Sequence, residues 1–254
     1  MENKLTLITG ASAGIGEACA RRFAAEGCDL VLWARRLDRL EALAAELGGD
    51  SVSVRTARVD VRDRDSVERA AAELAEAELV PEILINNAGL ASGFDTIQEG
   101  DPEDWDRMID TNIKGVLYTA RAILPRMLAA GRGHIVNLGS TAGHTVYPKG
   151  NVYNATKFAV RALNEAMNLD VVGTPLRVSS VDPGFVETEF SLVRFHGDRE
   201  RADATYRGFQ PLGPEDVADA IFYVVSRPPH VNVFDMVLLP TAQRNIYVVH
   251  REAE

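Results

Sequence analysis

Basic residues, cysteines and long apolar runs are all scarce in this 254-residue chain. Lysine and arginine together number 27 against 37 aspartates and glutamates, a formal net charge of −10. Non-specific nucleic-acid binding and adhesion to anionic membranes call for the opposite sign, so neither partner is expected. No stretch reaches the roughly eighteen apolar residues of a membrane span. The opening MENKLTLITG holds too short an apolar run for a signal-peptide core. A cytoplasmic location is the expectation. Cys19 and Cys28 are too few for a disulfide framework and are not spaced as metal ligands. Buried thiols in a reducing compartment account for them. The five histidines are scattered, with no pair at helical ligand spacing, and no metal is expected. There is no fixed-period repeat, no low-complexity segment and no Pro/Gly/Ser-rich linker. One domain over residues 1–254 follows.

What the chain does contain is alternation. Short aliphatic or β-branched runs occur at 4–9, 29–34, 51–60, 82–87, 133–140, 176–183 and 232–239. Between them lie stretches with apolar residues three and four apart, including 14–27, 37–49, 64–78, 102–130 and 152–173. Strand–helix–strand alternation predicts parallel strands joined by right-handed crossovers. The expected fold is α/β, a Rossmann-type doubly wound domain with a seven-stranded parallel sheet and helices on both faces. Residues 185–213, FVETEFSLVRFHGDRERADATYRGFQPLG, break the rhythm. They follow a strand's C-terminal end, where open α/β sheets bind ligands, and an irregular substrate lid is expected there.

The first strand runs into TGASAGIG at 9–16, which contains Gly10, Gly14 and Gly16. Glycines permit a tight turn, close approach of backbone to phosphate, and close packing of helix on strand. The next helix then aims its free N–H groups at an anion. Gly10, Ser12, Ala13, Gly14, Ile15 and Gly16 are the candidate cradle residues, the alternative being a purely structural turn. Where an acidic residue would select the 2′-hydroxyl of NAD, the chain reads LWARRLDRL. Arg35 and Arg36 stand before a helix N-terminus, where cations are unfavourable unless an anion compensates. The 2′-phosphate of NADP is such an anion, and a solvated arginine pair is the alternative.

YNATK places Tyr153 and Lys157 four apart on one helix face. An ammonium near a phenol favours the phenolate and lowers its pKa, which equips tyrosine for proton transfer near neutral pH. Ser140 ends the run IVNLGS on the ligand side of the sheet. Its hydroxyl could contact a substrate oxygen.

Taken in order, these motifs resemble the short-chain dehydrogenase/reductase family over the whole chain. TGASAGIG is similar to the family's cofactor turn. Asp60, followed by Val61, resembles its adenine contact, and Asn87 in NNAG its cofactor-side support. Asn112, Ser140, Tyr153 and Lys157 fall where the family's catalytic tetrad falls. Pro183, Gly184, Val186 and Thr188 match its nicotinamide-side loop. The resemblance implies that Tyr153 exchanges a proton with the substrate oxygen, Ser140 orients that oxygen, and Lys157 holds the nicotinamide ribose. Asn112 would hold a water linking Lys157 to solvent. It also implies a homotetramer, with the apolar C-terminal tail reaching a neighbouring subunit. WDRMIDTNIKG, GNVYNATKFAV and TEFSLVRFHGD resemble the NADP-dependent 3-hydroxy acid dehydrogenase branch, and sulfoacetaldehyde reductases look similar. The expected activity is hydride transfer between NADP(H) and a small hydroxy acid or its carbonyl counterpart. A sulfonate aldehyde reductase is the alternative, and a non-catalytic NADPH sensor a remote one. A short anionic substrate must be recognised through its charge, and Arg194 in the lid offers a planar fork for it. The alternative for Arg194 is a surface pair with Glu187 or Glu189.

Overall fold

A computed structural model describes residues 1–49 and 51–252. Seven strands form one sheet: β1 (Leu5–Thr9), β2 (Asp29–Ala34), β3 (Val54–Arg58), β4 (Ile83–Asn86), β5 (His134–Leu138), β6 (Arg177–Pro183) and β7 (Asp235–Leu238). The order is β3-β2-β1-β4-β5-β6-β7, and every pairing is parallel. The strand order reverses between β1 and β4, which opens a crevice at their C-terminal ends. The expected architecture is the one observed.

Consecutive side chains of a strand face opposite ways, and the two apolar cores divide accordingly. Ile8, Leu30 and Leu32 pack on α1 (Gly14–Ala25) and α9 (Pro214–Val225), where Phe23 and Phe222 meet edge to face at 5.4 Å. Leu7, Val31, Trp33 and Leu84 pack on α3 (Arg64–Glu76), α5 (Gly115–Ala130) and α6 (Asn151–Asp170). Truncating one of these leucines to alanine costs about 2–5 kcal/mol. Cys19 and Cys28 are both free and buried, and burial pushes their thiols up. α2 (Leu37–Leu47) follows β2.

The stretch 102–130 is not one helix. α4 (Pro102–Ile109) starts with Pro102 behind Asp101, whose carboxylate accepts from Glu103 N at 2.9 Å. A π-helical turn, Asp110–Lys114, then precedes α5. Such turns are rare and recur near functional sites. Gly115 starts α5 so close to β3's end that a Cβ would come within 2.8 Å of Val61 Cγ2.

The lid is more ordered than the irregular loop expected. It contains α7 (Phe190–Arg194) and α8 (Arg199–Ala204), and its two ends are stitched by Glu187 N to Leu212 O at 2.9 Å and Leu212 N to Phe185 O at 3.0 Å. The tail folds over the 185–213 segment of its own chain. Phe185 N donates to Gln243 Oε1 at 3.0 Å, Arg251 Nη2 to Thr205 O at 3.0 Å, and Glu252 N to Gly208 O at 2.7 Å. Lid backbone groups need partners, and the tail supplies them.

Candidate active site

The turn after β1 is built by two kinds of glycine. Gly10 and Gly14 have φ of +68° and +55°, the left-handed region glycine tolerates. Gly16 is set by space, since a Cβ there would lie 2.5 Å from Asn87 Nδ2 and Gly10 O. Asn87 in turn ties the ends of β4 and β1 together, its Nδ2 donating to Thr9 O at 2.9 Å. The crevice between these strands is therefore fixed by side chain and backbone together.

A cavity of about 860 Å³ covers the C-terminal ends of the strands. The cradle residues Gly10, Ser12, Ala13, Gly14 and Ile15 line it; Gly16 stands behind them. Arg35, Arg36, Asp60 and Val61 line it beside β2 and β3, and Asn87 at the crevice. Ser140, Tyr153 and Lys157 line it from β5 and α6, and Pro183, Gly184, Val186, Thr188 and Arg194 from β6 and the lid. The volume lies in the range of sites that enclose small molecules.

Arg36 bridges loop and lid. Its Nε donates to Ser12 Oγ at 3.2 Å and its Nη1 to Glu189 at 2.9 Å, while Arg39 reaches the same carboxylate at 2.8 Å. Arg39 and Arg36 together hold Glu189 below the usual carboxylate range. Arg35 is exposed. Asp60 is engaged by Arg62 at 2.6 Å.

Tyr153 sits in the first turn of α6 and Lys157 one turn later, both buried. Lys157 Nζ donates to Leu138 O at 2.8 Å and lies 5.9 Å from the Tyr153 ring centroid. Burial lowers the Lys157 ammonium to about 8, against the pull of Asp182. Burial pushes the Tyr153 phenol up, with Tyr147 adding to the rise; the Ser140 hydroxyl and the Arg194 guanidinium oppose it. Ser140 Oγ accepts from Ala142 N at 3.1 Å.

Asn112 does not reach the cavity. Its amide is engaged by Leu90 N and O at 2.9 and 2.8 Å and by Thr156 Oγ1 at 3.0 Å. The π-helical turn thus sets this side chain as a brace between the loop after β4 and α6; both amide protons are used, while Oδ1 accepts one bond and keeps a second lone pair.

Arg194, the last residue of α7, pairs with neither Glu187 nor Glu189. Its guanidinium carbon lies 4.7 Å from the Phe94 centroid, 5.3 Å from Tyr147 and 5.7 Å from Tyr153. Its Nε and Nη2 are buried without a hydrogen-bond partner among the described residues. Aromatic faces attract the cation, but its in-plane donors await an acceptor. Phe190 closes the wall, edge on to Tyr153 at 5.6 Å. Tyr147, Phe94, Gln243 and Ile246 also line the cavity and were not singled out in the sequence. YPKG hints at Tyr147 only through its nearness to YNATK, and the tail residues carry no local signal.

Comparison with known proteins accords with this arrangement. The sequence profile of the short chain dehydrogenase family matches residues 4–197. The chain is 44% identical over 250 residues to the NADP-dependent 3-hydroxy acid dehydrogenase YdfG of Escherichia coli, covering 98% of this chain and 100% of that one. It is 48% identical over 240 residues to sulfoacetaldehyde reductase 2 of Chromohalobacter salexigens, covering 94% and 95%. Among solved structures, the closed form of serine dehydrogenase complexed with NADP+ superposes with a TM-score of 0.91 at 43% identity, covering 98% and 100% of the two chains. With its glycine turn, its Ser140–Tyr153–Lys157 cluster and these likenesses over nearly its whole length, the chain belongs to the short-chain dehydrogenase/reductase family.

Proposed function

We propose that this protein is an NADP(H)-dependent oxidoreductase acting on a small hydroxy acid, such as a 3-hydroxy acid of the serine or 3-hydroxypropionate type, or on its carbonyl counterpart. The observation that carries the substrate class is the buried, unpartnered edge of the Arg194 guanidinium beside the Tyr153 ring. A carboxylate matches that edge with two parallel bonds.

The cofactor reading has its own support. A Cβ at Gly10 would come within 2.9 Å of Ala88 Cα, so the turn packs bare against the segment after β4, and Gly10, Ser12, Ala13 and Gly14 face the cavity where a pyrophosphate would lie. Arg35 and Arg36 stand at the mouth for a 2′-phosphate. The names of the relatives above agree with NADP. When bound, the cofactor donates or accepts the hydride. Tyr153 gives or takes the proton at the substrate oxygen, Ser140 orients that oxygen, and Lys157 holds the nicotinamide ribose. Val186 and Thr188 flank the nicotinamide side.

A sulfonate aldehyde is the second substrate reading. It is favoured by the sulfoacetaldehyde reductase relative and by the guanidinium edge, which suits sulfonate as well as carboxylate. A homotetramer in the cytoplasm completes the proposal. Exposed Leu169 and Val172 at and just beyond the end of α6, and Phe234 and Val237 at the β7 edge, are apolar surface that subunit contacts would cover. Both free thiols are buried, as suits a reducing compartment.

Initial rates with NADPH and NADH on 3-hydroxy acids, isethionate and their carbonyl forms test the reading. Tyr153→Phe keeps the ring and removes the proton donor, so turnover falls by roughly a hundredfold or more while NADPH still binds. Near-normal turnover in that variant would favour the sensor.

A further inference from the structure

We propose that His144 and Asp182 are positioning residues for the Ser140 hydroxyl, fixing the turn that aims its proton into the site. The inference rests on the reading of Ser140 given above.

Asp182 lies on β6 beside β5 and is 1% exposed. A buried carboxylate is costly unless fully paired. Here one oxygen accepts from the Ser180 hydroxyl and the other from His144 Nε2. The carboxylate fills the space beside Gly139, where any Cβ would collide with it. Gly139 is the residue before Ser140, so the buried charge is packed directly against the backbone that carries the hydroxyl.

His144 closes the single 3-10 turn Thr141–Gly143, its N–H donating to Thr141 O at 3.1 Å. The turn is gripped from two sides. On the β6 side the imidazole is held by Asp182. On the α6 side Gly143 lies against the helix backbone, where a Cβ would come within 2.7 Å of Lys157 O. Inside the turn, Ala142 N donates to Ser140 Oγ at 3.1 Å.

That last bond decides what the serine can do. A hydroxyl has one proton and two lone pairs. Ala142 N–H occupies one lone pair, and the proton's backbone neighbour is Pro183 O at 3.5 Å, at the limit of a hydrogen bond; the Tyr153 phenol, on which the Ser140 hydroxyl also acts, lies on the cavity side. The proton is thereby left for an oxygen in the cavity. If the turn shifts, Ala142 N leaves Ser140 and the hydroxyl rotates freely. Asp235 of β7, 3.9 Å from His144 Nε2, completes the surround of the imidazole without touching the turn.

The test compares His144→Ala, His144→Gln and Ser140→Ala. Glutamine places an N–H donor where Nε2 stands, so it restores the bond to Asp182. Loss of aim by an ångström costs on the order of ten- to a hundredfold in rate. His144→Ala should lower kcat by that factor and raise the primary isotope effect from 4-deuterated NADPH. Its NADPH Kd should stay within about twofold, since uniform binding is untouched. His144→Gln should recover most of the rate. Should the alanine variant not fold, His144→Asn, polar but too short to reach Asp182, takes its place with the same expectation. Parent kcat in His144→Ala beside an impaired Ser140→Ala overturns the inference. So does a glutamine variant no better than alanine, or a parallel loss of NADPH affinity. Parent kcat in Ser140→Ala overturns the reading of the serine itself.

Discussion

The two ends of α7 are held in opposite ways. At its start, Glu189 makes two ion pairs, with Arg36 and Arg39, and all three side chains are 42–46% exposed. At its end, Arg194 is enclosed by three aromatic rings, and two of its nitrogens have no partner among the described residues. Exposed ion pairs are worth about 0–1 kcal/mol and are screened by salt. A buried, unpaired donor costs about 1–3 kcal/mol until something accepts from it. The first end is therefore a weak tether that salt can loosen, whereas the second holds buried donors whose cost an acceptor would relieve.

The comparison breaks first at Arg194. Arg194→Ala should raise KM for acid substrates on the order of a hundredfold or more, in line with removal of a charged, desolvated hydrogen-bonding pair. NADPH affinity should hardly change, and a neutral alcohol should react almost as before. A uniform loss on charged and neutral substrates would mean that the lid itself had misfolded. Arg36→Ala comes next. It should weaken NADPH binding roughly ten- to a hundredfold and leave NADH binding unaltered, as read by fluorescence titration; Arg35→Ala should act in the same direction. Equal efficiency of the parent with both cofactors would sink the phosphate assignment.

Two smaller effects sharpen the contrast. His196, on the lid, bonds Asp104 at 3.0 Å, and Ser92 holds the same carboxylate at 2.5 Å. His196→Ala leaves that buried carboxylate half satisfied, so KM for acid substrates should rise several-fold, by about 1 kcal/mol. Glu189→Gln should matter least, changing NADPH dissociation by less than about fivefold, a difference that should vanish in high salt. If Glu189→Gln rivalled Arg194→Ala, the exposed tether would be the governing one.

What could be read from the chain and what could not divides along the same line of range. The seven strands, the glycine turn and the Tyr153–Lys157 spacing are local patterns, and periodicity exposes them. The break between α4 and α5 was hidden because a π-helical turn leaves the apolar spacing of 102–130 nearly intact. Asn112 kept its residue type, but only the fold revealed that Leu90 and Thr156 claim its amide. The tail's place was illegible for a simpler reason. Gln243 meets Phe185 across 58 residues, and the sign of that contact is a backbone N–H, which no side-chain pattern announces. Arg194 was named for its charge; its aromatic cage, drawn from Phe94, Tyr147 and Tyr153, was not foreseeable from any one segment.

The burial of both native thiols has a practical consequence. Cys19 and Cys28 are inside the α1 core with their thiols pushed up, and protonated, inaccessible sulfur reacts poorly with alkylating dyes. The native background for thiol labelling is therefore low. A cysteine introduced at exposed Val193, one residue before Arg194, would carry a fluorophore on the lid alone. Its emission would then report whether this segment moves when NADPH or substrate is added, with no need to remove any natural cysteine first.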